Sequence, residues 1–474
     1  MYHNLAYDKT LVKCHPSQRQ IALEQMEFYA FAHFTVNTFT DKEWGDGTEA
    51  ESLFNPTELD ADQWVNALTS AGVTGLILTC KHHDGFCLWP SAYTEHSVKN
   101  SPFRDGHGDV VKEVAEACGR GGIKFGVYLS PWDRNCPLYG SDAYNDYFCH
   151  QLTELLTNYG EIFIVWFDGA CGEGPNGKRQ VYDWERYYAL VRKLQPNACI
   201  SICGPDVRWC GNEAGDTRPS EWSVLPTGFS DPDEVAESSQ KTESSAFREK
   251  KISELARDLG SREFLLGNTG LRWYPAETDT SIRPGWFYHA HEDDRVRSTD
   301  TLIDIWYRTV GGNSTLLLNV PPDKRGLFHE TDVQRLRELG DYIRKTFAVN
   351  LAENAALTAD RDDGYHLPEA LKTDSYDAYF KPFDGENRVV LTAKFDHMKT
   401  VSHVVIKEHI PMSQRIEAFT IEVKKPDGDY VEVASGTTVG YKKIAKFHPV
   451  CTDEVRIKIT DSRVCPVLSF IGIY

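Results

Sequence analysis

The sequence lacks several features that would assign a class of protein at once. It has no run of about 18 apolar residues, the length that a helix needs to cross a membrane. It has neither a Cys-x-x-Cys pair nor a His-Glu-x-x-His motif, so no metal cluster and no zinc-hydrolase helix is predicted. Of the 12 cysteines, Cys80, Cys199 and Cys203 lie in or beside apolar runs, where a thiol packs as a small hydrophobic group. We therefore expect no disulfide framework.

Positive charge is also scarce. With 51 Lys and Arg against 70 Asp and Glu, the net charge is -19, which disfavours nucleic acid and anionic lipid as partners. The polar opening Met1-Tyr2-His3-Asn4 lacks the apolar core of a signal peptide. We expect no membrane insertion, and either a cytoplasmic protein or a periplasmic or secreted one whose leader has been removed. The oligomeric state is not predicted.

Strand-like runs alternate with amphipathic helical runs through the first two thirds of the chain. The predicted strands are Phe28–His33, Gly75–Cys80, Lys124–Ser130, Ile162–Asp168, Ala198–Cys203, Glu221–Leu225, Trp286–His289 and Thr315–Val320. Eight strands with intervening helices over about 300 residues is the count of a TIM-type (β/α)8 barrel. The long polar stretch 231–262 predicts a helix-bearing insertion over the barrel mouth. The predicted fold class is therefore α/β, with a catalytic barrel at 1–350.

The pattern changes after about residue 351. Short alternating runs such as 419–423 and 455–459 are separated by turns such as Pro426-Asp427-Gly428-Asp429. This pattern is typical of an antiparallel β-sandwich, which we predict at 351–474. We expect it to buttress the barrel, with carbohydrate binding as the alternative.

The fourth predicted strand ends in a carboxylate, Asp168, followed by Gly169. The carboxyl ends of barrel strands form the catalytic face, so this position favours a catalytic role. A lone Asp before Gly more often caps a turn. A catalytic role for Asp168 is therefore predicted only if neighbouring strand ends carry functional side chains as well.

Neighbouring strand ends also carry polar side chains. They include His33 with the downstream pair Glu43-Trp44, the run Lys81-His82-His83-Asp84, Tyr128 with Trp132-Asp133, and Arg208-Trp209-Cys210-Gly211-Asn212-Glu213. Adjacent histidines on an extended backbone point in opposite directions, so His82 and His83 are not expected to share a metal ion. The pair His289 and His291 has no third ligand in view. With few basic residues nearby, we favour a sugar over a metal, phosphate or carboxylate.

A sugar ligand makes two carboxylates the natural catalytic pair. A retaining glycosidase needs a nucleophile and a general acid/base, and the acid must have a raised pKa. Asp168 suits the nucleophile, and Glu213 suits the acid if Trp209 and ionised Asp168 surround it. The rivals for the acid are Glu43, Asp133, Asp216, Glu221 and Glu277, and the residues alone do not choose among them.

These motifs together resemble the α-L-fucosidases of glycoside hydrolase family 29 over essentially the whole chain. The matching segments are His33-Phe34 with Glu43-Trp44, Lys81-His82-His83-Asp84-Gly85-Phe86, Trp166-Phe167-Asp168-Gly169 and Leu316-Leu317-Leu318-Asn319-Val320-Pro321-Pro322. The resemblance implies a retaining mechanism without metal or cofactor, with Asp168 as nucleophile. It also implies a fucose pocket lined by His33, Glu43, Trp44, His82, His83, Tyr128 and Trp166.

A second set of segments resembles the subgroup restricted to α-1,3/1,4-linked fucose: Arg208 to Glu213, Glu221-Trp222-Ser223-Val224, Tyr274-Pro275-Ala276-Glu277 and Ser281-Ile282-Arg283-Pro284-Gly285-Trp286. This likeness implies Glu213 as acid/base, Glu277 and Trp286 as substrate contacts, and a fucosylated, Lewis-type oligosaccharide as partner. The alternatives are a broader α-L-fucosidase that also cleaves α-1,2 linkages, a non-catalytic fucose-binding protein, and a metal-dependent barrel hydrolase.

Overall fold

A computed structural model describes residues 5–219, 221–252, 258–268 and 270–474. The strands before residue 320 are β1 (Phe28–Ala32), β2 (Gly75–Lys81), β3 (Lys124–Leu129), β4 (Ile162–Phe167), β5 (Cys199–Ile202), β6 (Arg208–Trp209), β7 (Val224–Pro226), β8 (Leu271–Trp273), β9 (Ala276–Ser281) and β10 (Ser314–Asn319). The helices are α1 (Leu5–Leu11), α2 (Gln18–Glu24), α3 (Val36–Thr40), α4 (Ala61–Ser70), α5 (Val110–Gly121), α6 (Asp142–Asn158), α7 (Trp184–Leu194), α8 (Pro232–Ser238), α9 (Ser245–Arg248), α10 (Thr299–Thr309) and α11 (Glu330–Thr346). None of the helices in these ranges is long and apolar enough to cross a membrane.

Eight of these strands form one parallel sheet in the order β5-β4-β3-β2-β1-β10-β9-β6. A parallel bridge between Ser201 and Val207 joins the two edges, so the sheet is nearly closed as a barrel. All six residues of β4 are buried, as expected for a strand with helices outside and packed side chains inside. The predicted barrel is confirmed.

The helices around the barrel begin and end at recognisable caps. Helix α5 begins after Asp109, whose side chain accepts a hydrogen bond from the Lys112 amide. It ends at Gly122, where φ is 71°, a left-handed conformation that glycine adopts without strain. Its apolar face packs against β2 and β3. Local sequence signals therefore fix this strand–helix unit.

The sixth and seventh predicted strands are wrong. The run predicted at Glu221–Leu225 contributes only to β7, which pairs with β8 in a separate antiparallel ribbon. The run predicted at Trp286–His289 is a loop. The barrel instead uses β6, which is only two residues long, and β9, whose sequence Ala-Glu-Thr-Asp-Thr-Ser is polar although every residue is buried. In the predicted insertion 231–262 the structure shows α8 and α9, and residues 253–257 lie outside the described part.

A buried ion pair joins the end of β2 to the loop after β3. Lys81 Nζ lies 2.9 Å from Asp133 Oδ2, and both side chains are excluded from solvent. Asp133 Oδ1 accepts hydrogen bonds from the amides of Asn135 and Cys136. Because a buried charge is costly unless paired, this arrangement holds the loop after β3 against the end of β2.

The C-terminal part is an antiparallel sheet with its own apolar core. Its strands are β11 (Ala356–Ala359), β12 (Val389–Glu408), β13 (Ile416–Lys424), β14 (Tyr430–Gly436), β15 (Lys443–Ser462) and β16 (Leu468–Ile473). The order is β11-β12-β15-β13-β14, and β16 also pairs with β12. This is consistent with the predicted sandwich, and the predicted boundary at residue 350 falls between α11 and β11.

Candidate active site

A pocket with about 580 Å³ of empty space opens at the carboxyl ends of the barrel strands. Eight of the predicted site residues line it: His33, Trp44, His82, His83, Trp166, Asp168, Glu213 and Trp286. Glu43, Tyr128 and Glu277 do not; they lie buried behind the lining and contact it through hydrogen bonds. The structure thus brings together residues from six different strand ends.

Asp168 lies directly after β4, at the inner end of this pocket. Its Oδ2 accepts a hydrogen bond of 2.7 Å from the Tyr128 hydroxyl, and its Oδ1 accepts one of 2.7 Å from the Ala170 amide. Burial raises the pKa of Asp168, and these hydrogen bonds oppose that rise by stabilising the carboxylate. The carboxylate is therefore held in one orientation, with its side chain still 20 % exposed to the pocket.

Glu277 lies in the barrel interior, behind the pocket lining. It is fully buried and accepts hydrogen bonds from Tyr29, from Trp166 Nε1 at 2.8 Å and from the Ser201 hydroxyl at 2.9 Å. These donors come from β1, β4 and β5, so one carboxyl group on β9 crosses the barrel interior. Glu277 therefore fixes the indole of Trp166 and does not face the pocket, contrary to its expected role as a substrate contact.

Glu213 lies in the same pocket, with its Oε2 accepting a hydrogen bond of 3.1 Å from Trp286 Nε1. Burial, reinforced by the negative charge of Asp168, raises the pKa of Glu213 to about 7. Trp286 supplies the indole contact that we expected from Trp209. A substantial fraction of Glu213 is protonated near neutral pH, which is the state that a general acid needs.

The rival carboxyl groups are engaged elsewhere. Asp133 pairs with Lys81, Asp216 with Arg308, and Glu221 with Arg208 and Arg218. Glu277 is hydrogen-bonded to Tyr29, Trp166 and Ser201 behind the pocket lining. Of the carboxyls considered for the acid, Glu213 is the one that faces the pocket.

Glu43 has a different task. Its carboxylate accepts hydrogen bonds from the amides of Trp286 and Phe287 and from His289 Nε2. His289 Nδ1 in turn lies 2.6 Å from Asp41. Burial alone would lower the pKa of His289, but its hydrogen bonds to Glu43 and Asp41 raise it to about 9. A cationic His289 and an anionic Glu43 therefore anchor the loop that carries Trp286.

The hydrogen-bond network fixes the tautomer of His33. Asn319 Nδ2 donates to Ser281 and to the Trp286 carbonyl, so Asn319 Oδ1 accepts from His33 Nδ1 at 2.8 Å. Burial lowers the pKa of His33 to about 4, so the ring is neutral and its Nε2 is an acceptor.

Hydrogen bonds also fix the tautomer of His83. Ser130 donates to the Trp132 carbonyl, so it accepts from His83 Nδ1 at 2.8 Å. Burial lowers the pKa of His83 to about 3, and its unprotonated Nε2 faces Asp168 Oδ2 at 3.7 Å. Both atoms are hydrogen-bond acceptors, so a hydroxyl group of a ligand can donate to either of them.

The expectation that His82 and His83 point in opposite directions is wrong. Their ring centroids are 4.0 Å apart, and both rings line the pocket. The alternation of an extended strand does not apply because β2 ends at Lys81 and the chain turns, with the Gly85 amide donating to the His82 carbonyl. His82, His83 and Asp168 have ligand atoms within 4.8 Å of one another, so these three could hold a metal ion.

Asp41 is a third potential metal ligand beside His289 and His291, because their ligand atoms all lie within 4.8 Å of one another. Both ring nitrogens of His289 already bond carboxylates, however, so this histidine is occupied.

Asp279 is a site residue that the sequence analysis missed. It is buried on β9, lines the pocket and accepts a hydrogen bond of 2.7 Å from Trp209 Nε1. Burial, with the negative charges of Glu213 and Glu277, raises its pKa well above the usual value. Its spacing from Glu277, two residues along a strand, places both carboxyls on the same face, but the polar run did not register as a strand.

A family model described as alpha-L-fucosidase matches residues 17–346 of this chain. Alpha-L-fucosidase 1 of Arabidopsis thaliana is 40% identical over 467 residues, covering 97% of this chain and 87% of the plant protein. The crystal structure of a putative alpha-L-fucosidase from Bacteroides ovatus is 45% identical with a TM-score of 0.85, covering 99% of this chain and 76% of that one. A GH29 fucosidase of Ruminococcus gnavus, solved in complex with fucose, is 29% identical with a TM-score of 0.83, covering 97% and 95% of the two chains.

The buried hydrogen bonds of Glu277 lead to a prediction about stability. We expect Glu277→Leu to lower the free energy of unfolding by about 1–3 kcal/mol for each buried donor that it leaves without an acceptor. Glu277→Gln is the matched control: its amide oxygen can still accept from Trp166 Nε1–H, while the hydroxyl groups of Tyr29 and Ser201 can rotate. Chemical denaturation followed by tryptophan fluorescence measures both. Equal stability of the Leu and Gln variants would contradict the role given to Glu277.

Proposed function

The chain belongs to the α-L-fucosidase family, and we propose that it is a retaining exo-enzyme that releases α-1,3- or α-1,4-linked L-fucose from branched oligosaccharides. The observation that carries the mechanism is the pairing of two carboxyl groups in one pocket. Hydrogen bonds from the Tyr128 hydroxyl and the Ala170 amide oppose the rise that burial causes in the pKa of Asp168 and favour its carboxylate form, whereas burial raises the pKa of Glu213 to about 7. A retaining glycosidase needs this contrast between a nucleophile and an acid.

In the first step Asp168 attacks the anomeric carbon of fucose while Glu213 gives its proton to the departing glycosidic oxygen. The bond to the leaving saccharide breaks as the fucosyl ester of Asp168 forms. In the second step Glu213 takes a proton from water, which attacks the anomeric carbon and returns Asp168 to its carboxylate form. Glu213 therefore acts first as an acid and then as a base.

The neutral histidines suit the hydroxyl groups of the sugar. The unprotonated nitrogens of His33 and His83 accept hydrogen bonds from hydroxyls, and the aromatic rings of Trp44 and Trp286 offer apolar surface. We assign this part of the pocket to the fucosyl ring. The linkage preference rests on the likeness of Arg208–Glu213 and Ser281–Trp286 to the α-1,3/1,4-specific subgroup.

Replacement of Asp168 by Asn is expected to lower kcat on a Lewis-type trisaccharide roughly a thousandfold or more, since the nucleophile is lost. Asp233→Asn, an exposed change on α8, is the matched control and should retain activity. Proton NMR of the wild-type reaction should show α-L-fucose as the first product. Initial formation of the β anomer would contradict retention, and loss of wild-type activity in chelator would favour a metal at His82, His83 and Asp168.

The pH profile should be bell-shaped. Activity is expected to fall as pH rises through about 7, because Glu213 loses the proton that it must donate, and to fall at low pH as Asp168 becomes protonated. The hydrogen bond from Trp286 lowers the pKa of Glu213, so Trp286→Phe should move the basic limb of kcat/KM to higher pH. A basic limb that does not move would contradict this link.

Chemical rescue tests the assignment of Glu213 directly. In Glu213→Ala, azide should restore activity on substrates with good leaving groups. Their release does not need an acid, and azide can replace the water that Glu213 activates. The absence of rescue would favour another residue as the acid/base, with Asp279 as the candidate because its carboxyl group also lines the pocket.

Linkage specificity is tested by comparing α-1,2-, α-1,3- and α-1,4-fucosylated oligosaccharides with an aryl fucoside. We expect kcat/KM to be higher on the α-1,3 and α-1,4 substrates. A preference for the α-1,2 substrate would replace this proposal with the broader fucosidase, and binding without release of fucose would favour a non-catalytic protein.

A further inference from the structure

A second cleft, with about 910 Å³ of empty space open to solvent, continues from the pocket. Glu213 and Trp286 line both the pocket and this cleft. If Glu213 protonates the glycosidic oxygen, the saccharide that leaves must lie on the Glu213 side of the pocket. The cleft is therefore the place for the leaving saccharide, an argument that rests on the function proposed above.

Arginine side chains are concentrated in the walls of this cleft, although the net charge of the whole chain is -19. Four arginines line it: Arg248, Arg283, Arg295 and Arg297. We call it the arginine cleft. Two of these side chains are neutralised, because Arg248 lies 3.4 Å from Glu43 and Arg283 pairs with Asp293 and Asp332.

The other two cations have no contacting carboxylate among the described residues. The guanidinium of Arg297 is held by the Ser281 carbonyl at 2.8 Å and the Thr280 hydroxyl at 3.1 Å, both at the end of β9. Burial and the charge of Arg308 lower the pKa of Arg297, and the negative charge of Glu249, which does not contact it, opposes this shift. Arg295 is exposed at the cleft wall.

Arg283, which also lines the cleft, has a buried donor without a partner among the described residues. It is only 1 % exposed, and its Nη2 is buried without a hydrogen-bond partner among the described residues, although Nε and Nη1 are satisfied. An unused buried guanidinium donor is costly in a protein interior.

Among the described residues, the acidic groups that line the cleft do not contact Arg295 or Arg297. Glu292 is buried and accepts from the Gly285 amide, and Glu213 is partly protonated near neutral pH. Glu249, at the end of α9, is the remaining exposed carboxylate of the cleft.

We propose that the arginine cleft binds an acidic group, a carboxylate or a sulfate ester, on the saccharide that leaves when fucose is released. Planar guanidinium groups bind both kinds of oxyanion through paired hydrogen bonds. The fucosyl ring itself remains a neutral ligand of the first pocket. The enzyme therefore selects acidic fucosylated glycans over their neutral counterparts.

The test compares three trisaccharide-based substrates with the same fucose linkage: neutral, carrying a sialic acid carboxylate on the galactose, and carrying a sulfate ester at that position. We expect the wild-type enzyme to show a higher kcat/KM on at least one acidic substrate than on the neutral one. The ratio should fall at high ionic strength, because salt screens the exposed charges. Whichever acidic substrate is favoured identifies the source of the anion.

Single substitutions test which arginines are responsible for the preference for acidic substrates. Arg297→Gln should lower the acidic-to-neutral ratio of kcat/KM roughly tenfold, and the exposed Arg295→Gln about two- to fivefold. Glu249→Gln removes a repulsive charge and should raise the ratio. Arg361→Gln, an exposed arginine of the C-terminal part that pairs with Asp360 and Glu386, removes the same charge elsewhere and should leave the ratio unchanged.

The outcomes separate this inference from the proposed function. If the neutral trisaccharide is cleaved but neither acidic substrate is favoured, or if Arg295→Gln and Arg297→Gln change the ratio no more than Arg361→Gln does, the inference is overturned and the fucosidase proposal stands. If no fucose leaves the neutral or the acidic substrates, the proposed function fails.

Discussion

A carboxyl group without access to solvent holds the catalytic end of this barrel in place. Glu277 extends from β9 into the interior and receives donors from β1, β4 and β5. Trp166, which it anchors, lies on β4 two residues before Asp168, and Asp168 directly follows that strand, so the position of the proposed nucleophile depends on this contact. Unlike apolar packing, these hydrogen bonds tolerate little displacement, and a polar interior therefore gives the site its precision.

Burial and local contacts together give the acidic groups in and behind the pocket different pKa values. Glu43 loses water, but His289, Arg248 and two backbone amides compensate, and its pKa is lowered. Glu213 has one indole donor and a neighbouring Asp168, so burial dominates and its pKa rises to about 7. The same side chain therefore serves as a fixed anion in one place and as an acid in the other, because the number of compensating partners differs.

The sequence predicted the parts of the site that follow apolar strands. Strands such as β4 are buried on both faces, so a hydrophobic run located Asp168, and similar runs located His33, His83 and Tyr128. The hydrophobic pattern failed for β9, because its buried side chains are polar and bond partners on other strands, as Glu277 does with Trp166 and Asp279 with Trp209. It also failed for β6, which has only two residues. The orientation of His82 depended on a turn, which alternation along a strand cannot describe.

The charge distribution explains why selection for an acidic substrate has to be local. At physiological salt the field of distant charges decays over about 8 Å, so the net charge of -19 neither attracts nor strongly repels a glycan that has already entered the cleft. Within contact distance, Arg297 meets an oxyanion from a half-buried position where water screens it weakly. The loop after β9 supplies this arginine together with Trp286, the partner of Glu213. Recognition of the leaving saccharide and protonation of its oxygen thus depend on one short segment of the chain.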